Sequence, residues 1–196
     1  MNRVFWYALV AAVAASSVGI DVGSAQERDG RRGALQVFEQ RVVAYAELHR
    51  RIDAGFPPLA VSDDLQMLAW RRASVAAALT AERRDAQQGD IFDTPVAAAV
   101  RDVITNALIG VDLELMLADL YEDCDLPADY RPQVNAAYPD WASHAMPPVL
   151  LNVLPRLPDG IQYRLIERDL LLWDVNADVI VDVLPNALPF VESSEE

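Results

Sequence analysis

The chain has 196 residues, 53% hydrophobic and 23% charged, which places it among globular proteins long enough to bury a core and outside the disordered class. Its net charge of −14 is unevenly placed: residues 26–101 hold 11 Arg and 11 acids, whereas residues 102–196 hold 4 Arg and 18 acids. An acidic half repels phosphate backbones and anionic lipid, so we expect neither nucleic-acid binding nor polybasic membrane attachment.

The amino terminus opens with Met1-Asn-Arg3, an apolar run from Val4 to Val13 and a small-residue zone ending Val22-Gly23-Ser24-Ala25. That pattern predicts a secretory signal peptide over 1–25 with cleavage after Ala25. Asp21 and the glycines shorten the apolar run below the length of a bilayer span, and no Cys near the site offers a lipid anchor. The expected product is periplasmic or secreted, with no membrane span after cleavage. All 16 basic residues are Arg, which we read as coding bias rather than as a phosphate site.

Residues 26–33 are polar and rich in Gly and Arg, and are expected to form a flexible leader. From Ala34, Leu35, Phe38, Val42, Tyr45, Leu48 and Ile52 recur at helical spacing, and Gly55 and Pro57-Pro58 end the run. A second helix is expected from Ser62 or Asp63 to about Gln87, with Leu65, Leu68, Val75 and Leu79 on its apolar side and Gly89 after it. Ile91-Phe92 reads as an apolar plug between Asp90 and Asp93. Thr94-Pro95 then reads as a cap and first-turn proline for a third helix through Val96, Val100, Val103 and Ala107, broken near Gly110 and resuming over 111–121. Met67, Trp70 and Met116 are core candidates.

Seven prolines between residues 126 and 158 forbid long helices and central strands, so this stretch should wrap the helical body, with one short helix inside 146–155. Residues 161–184 are the densest β-forming segment: three apolar runs separated by Glu167-Arg168-Asp169 and by Asp174 to Asp178. The expected fold class is α+β: an N-terminal antiparallel helical bundle with a small C-terminal three-stranded antiparallel β-meander packed on it. One domain should cover 34–190 (helical 34–125, proline-rich wrap 126–158, meander 159–190), followed by a disordered acidic tail at 191–196.

Gly89-Asp-Ile-Phe92, Met146-Pro-Pro, Leu150-Leu151, Leu154-Pro-Arg-Leu-Pro158, Tyr163-Arg164, Asp169-Leu170, Leu172, Asp174, Ala177 and Ile180-Val181-Asp182 together resemble a family of uncharacterised exported bacterial proteins. The similarity spans most of the mature chain and implies a shared structure, not a reaction. Relatives tend to carry Gly in the first strand turn, where this chain has Glu167. The last two strands are also similar to periplasmic nickel/cobalt-homeostasis proteins; those are His-rich elsewhere, and metal binding is not carried across.

Chemical motifs are sparse. His49 and His144 stand in no metal-ligand spacing, and His49 reads as a packed or surface histidine. Cys124 has no partner for a disulfide and sits among acids that would raise its pKa. Ser143-His144 are chain neighbours, which is not a triad geometry, and no nucleophile elbow or Gly-rich phosphate loop occurs. Asp174-Val-Asn-Ala-Asp178 opens like a calcium loop, but Val179 and Pro185 replace its Gly and Glu, so it reads as a turn. Asp119, Glu122, Asp123, Asp125 and Asp129 could hold a hard cation, although solvated acids are the plainer reading.

No catalytic residue, metal or cofactor is therefore expected. Tyr163, Arg164, Trp173, Asp174 and Asp182 are the candidate binding residues, the polar and aromatic groups that the sheet could display together. Tyr163 and Leu165 should share one face and Gln162 and Arg164 the other, with Arg164 pairing Asp174 or Asp182 across strands. The functional expectation is a non-enzymatic binding or assembly factor of the cell envelope, with an envelope protein as partner. The alternative is a carboxylate-based hydrolase acting on an envelope polymer.

Overall fold

The computed structural model describes residues 22–57, 65–122, 127, 129–142 and 146–190. Helix α1 (Val22–Asp53) is followed by α2 (Leu65–Glu82), α3 (Thr94–Ala107), α4 (Leu113–Tyr121) and the short α5 (Pro148–Leu151). Strands β1 (Ile161–Ile166), β2 (Asp169–Asp174) and β3 (Val179–Leu184) then form an antiparallel sheet in the order β1-β2-β3. The chain is thus α+β, helical first and ending in a three-stranded meander. Among the described residues no helix is long and apolar enough to cross a membrane.

The helices pack through the stripes that periodicity selects. Phe38, Val42 and Tyr45 of α1 are buried, with Leu35, Leu48 and Ile52 packed beside them. Val75 and Leu79 of α2, and Val96, Val100 and Ile104 of α3, meet them in the same core. Ile91 and Phe92 do plug it, and Phe38 stacks between Phe92 (centroids 5.4 Å apart) and Tyr163 (6.3 Å). Gly110 (φ +80°) lies in the break between α3 and α4.

Several expectations need correction. Residues 26–33 are helical and not a leader, because α1 runs through them and Arg31 anchors this end to Asp102 of α3 at 2.5 Å. The cap of α3 is Asp93, one residue earlier than expected: its carboxylate accepts the Val96 N–H at 3.1 Å. Arg41 donates to the other oxygen of Asp93 at 2.6 Å and holds that carboxyl below its ordinary pKa. Met67 and Trp70 are not core, being 51% and 56% exposed, and Leu65 is 77% exposed; α2 buries only its second half. Met116 does pack against the core. The signal-peptide segment through Asp21, Ser62 and Asp63, Cys124, Ser143-His144 and the 191–196 tail lie outside the described residues.

The sheet is covered on both faces. Ile161, Tyr163, Leu165, Leu170, Leu172, Val179, Val181 and Leu184 face the helices. Ile166, Leu171, Ile180 and Val183 face the other way, onto Tyr138 and Ala142 of the proline-rich segment with Tyr130, Trp141 and Trp173 beside them. Tyr138 stacks on Trp173 and its hydroxyl donates to the Ala142 carbonyl. The same segment occupies the outer edge of β3: Asn135 N–H donates to Ile180 O at 2.9 Å and Ile180 N–H to Ala136 O at 2.8 Å. Among the described residues β1 is the edge left without a backbone partner strand.

Candidate functional site

The five candidate residues do not gather at one place. Pairing runs Leu171↔Val183 and Leu172↔Asp182, then slips to Trp173↔Ile180, so Val181 is the extra residue of a β-bulge. Past that slip the alternation of β3 reverses. Ile180 points to the proline-rich side and Asp182, two residues on, points to the helices. Tyr163, Asp174 and Asp182 therefore share the helical face, while Arg164 and Trp173 lie on the opposite one. The expected pairing of Arg164 with Asp174 or Asp182 is not formed. Its guanidinium stacks over the Trp173 ring at 4.9 Å and donates to Tyr163 O at 2.9 Å and to Gln162 Oε1 at 2.5 Å.

Asp182 is fully buried and serves as a clasp. Its Oδ1 accepts the N–H groups of Gly89 and Val183, and its Oδ2 those of Ile91 and Phe92, all at 2.8 Å. Gly89 (φ +93°) takes a left-handed conformation that a side chain would resist, in the turn that aims these donors at the carboxylate. A buried charge is tolerable only with this degree of hydrogen bonding.

Asp174 is buried at the end of β2, and its partners make the most chemically suggestive cluster of the molecule. Its Oδ1 accepts the Asn176 and Ala177 N–H groups at 3.0 Å, closing the turn expected at Asp174 to Asp178. Its Oδ2 accepts the Tyr45 hydroxyl at 2.8 Å and faces His49 Nδ1 at 2.5 Å. Burial opposes the charge on Asp174, but the bonds from His49, Ala177 and Tyr45 outweigh it and hold the carboxyl below its ordinary pKa. The bond to Asp174 raises the pKa of His49 against a smaller opposing effect of burial, and burial followed by the Asp174 charge raises that of Tyr45.

His49, read from the sequence as a packed or surface histidine, thus has one nitrogen fixed by a carboxylate. Its other nitrogen, Nε2, makes no hydrogen bond among the described residues. Two clefts meet at His49 and Asn176. One, of about 350 Å³, also has Val43, Arg50, Asp159 and Gly160 in its wall. The other, of about 390 Å³, has Asp53, Leu68, Arg71, Arg72 and Val75. An imidazole oriented this way is half of a proton shuttle, yet among the described residues no Ser, Thr or Cys lines either cleft to act as nucleophile.

A separate groove of about 580 Å³ runs beside β1, lined by Met146, Leu151, Leu154, Leu157, Ile161 and Tyr163 and rimmed by Arg156, Gln162 and Arg164. The Tyr163 hydroxyl donates to Pro155 O at 3.0 Å, fixing the groove wall to the strand. Ile166 and Asp169 close a two-residue hairpin, so Ile166, Arg164 and Gln162 bond to β2, and Tyr163 and Leu165 turn their N–H groups outward. Neither N–H has a backbone partner among the described residues. Of the acidic cluster, Asp123 and Asp125 lie outside the described residues, and among the described residues no three His, Cys, Asp or Glu stand close enough to share a metal.

Comparison with family models, with curated proteins and with solved structures returned no match.

Proposed function

We propose that the chain is an exported, non-enzymatic binding or assembly factor of the cell envelope, and that it takes an extended segment of a partner protein along β1. The observation that carries this is the coincidence of an unpaired strand edge with an apolar groove at the same strand. Backbone groups of Tyr163 and Leu165 would supply affinity, and the groove would take alternate side chains of the incoming strand. Two of the four Arg that follow residue 101, Arg156 and Arg164, rim this groove, so an apolar segment carrying acids fits it best. A non-enzymatic role is favoured over a carboxylate hydrolase because both oxygens of Asp174 and of Asp182 already accept two hydrogen bonds each.

The test is a photo-reactive residue placed in living cells at Gln162 or Leu151, with exposed Leu115 of α4 as the control. The expected result is one cross-linked partner from the two groove positions and none from position 115, lost when Arg156→Glu and Arg164→Glu are combined. The amino-terminal residue of the protein recovered from the envelope fraction should be Gln26. Equal cross-linking at position 115, or insensitivity to the double charge reversal, would overturn the reading.

A further inference from the structure

The cleft between α1, α2 and the turn joining β2 to β3 has a donor set that the fold itself does not use. Four positively charged or protonatable side chains line the two clefts: His49, Arg50, Arg71 and Arg72. Arg71 is committed, donating to Asp53 at 2.6 Å and to the Pro57 carbonyl at 3.2 Å. Arg50 has one distant ion pair, to Glu47 at 3.8 Å on the exposed side of α1. Arg72 makes no hydrogen bond or ion pair among the described residues, and His49 Nε2 makes none either. Of the acids in the walls of the two clefts, Asp53 is satisfied by Arg71 and Asp174 by four donors, and Asp159 borders only the smaller cleft, away from Arg72. A chain of net charge −14 thus presents a local concentration of unused cationic donors in a concave site.

The imidazole cannot turn away from this cleft. Nδ1 is held by a carboxylate that is itself held by Tyr45 and by two backbone N–H groups, and the His49 side chain is only 12% exposed. Nδ1 donates to the Asp174 carboxylate, so in the protonated ring, which that bond favours, Nε2 also carries a hydrogen, and the ligand must accept. Tyr45, Asp53, Arg71 and Asp174 are the titratable or charged groups facing the ring from α1, α2 and β2. The apolar wall, Leu68 and Val75, leaves room for a short hydrocarbon part beside the head group.

We propose that this cleft binds the oxyanion group, carboxylate or phosphate, of a small molecule, with His49 Nε2–H and the Arg72 guanidinium as its donors. The site is distinct from the β1 groove and shares no lining residue with it except Ile161 at the far wall of the smaller cleft.

Titration of the full-length protein with inorganic phosphate, and separately with butyrate, followed through the His49 ring resonances by NMR, tests it. The expected result is a saturable shift below about 10 mM, since few-atom ligands bind weakly even in good sites. Arg72→Gln should weaken binding about tenfold, the loss of one charge-assisted pair. Arg72 is exposed, so this variant keeps the fold. Arg84→Gln, at an exposed residue that pairs with neighbouring Asp85 and lines neither cleft, should leave binding unchanged. Whichever probe binds more tightly identifies the head group, and either preference supports the proposal. No saturable shift with either probe, or equal loss from Arg72→Gln and Arg84→Gln, would overturn it.

Discussion

Replacing Asp182 by Asn removes a charge and one acceptor while keeping the shape of the side chain. In the native protein four backbone N–H groups converge on that carboxylate, two on each oxygen. Asn retains one oxygen for two of them and turns an NH₂ donor toward the other two. Hydrogen bonds to charged acceptors contribute about 1.5–3 kcal/mol each, and an orphaned buried donor costs about 1–3 kcal/mol. Two lost bonds therefore predict a destabilisation of about 3–6 kcal/mol, a large share of the roughly 5–15 kcal/mol that holds a domain folded. Urea unfolding followed by tryptophan fluorescence reads the difference, and amide exchange locates it at Gly89, Ile91 and Phe92. If Asp182→Asn cost less than about 1 kcal/mol and those amides stayed protected, the clasp would not hold the loop as described.

Three further outcomes follow from the same packing. The His49–Asp174 pair should give stability a plateau between about pH 4 and pH 6.5. Asp174, with its pKa lowered by folding, contributes above the unfolded carboxyl value and loses that contribution as pH falls through its folded pKa. His49, with its pKa raised, contributes fully below the unfolded histidine value and loses it as pH rises through its folded pKa, so His49→Gln should flatten the alkaline limb of a thermal-melt series. Phe38→Ala should cost about 3–5 kcal/mol in chemical denaturation because Phe38 is fully buried between two rings, whereas Trp70→Gln should stay within about 0.5 kcal/mol. Gly160→Ala should cost about 1–3 kcal/mol, since φ is +85° there and a Cβ would lie 2.6 Å from Asn176 Nδ2; an unchanged melting temperature would refute the strain.

The architecture was legible because it rests on local regularities. The three- and four-residue spacing of Phe38, Val42 and Tyr45 marks a helix without reference to anything distant, and the turn residues at Asp174 to Asp178 punctuate two strands. The site was not legible, for two separate reasons. The bulge at Val181 reverses the parity of β3, and strict alternation therefore puts Asp182 on the wrong face. His49 meets its carboxylate across 125 residues, a separation over which spacing carries no signal. Trp70 and Met67 failed in the opposite sense: apolar identity predicts burial only on average, and both are more than half exposed. The cap at Asp93 could have been found, since an Asp just ahead of Thr-Pro is the stronger acceptor for the N–H of the helix's third residue, Val96.

The clasp at Asp182 also dictates when the molecule can become itself. A polypeptide emerges amino end first, and the amides at 89–92 precede their carboxylate by about ninety positions. Until the final strand is made, the N–H groups of Gly89, Ile91 and Phe92 have only water to bond, and the helices around them are an unfinished assembly. Closing contacts across so long a stretch of chain is slow. Completion of the early half thus waits on the strand at 179–184, and a chain truncated before it would lack its keystone.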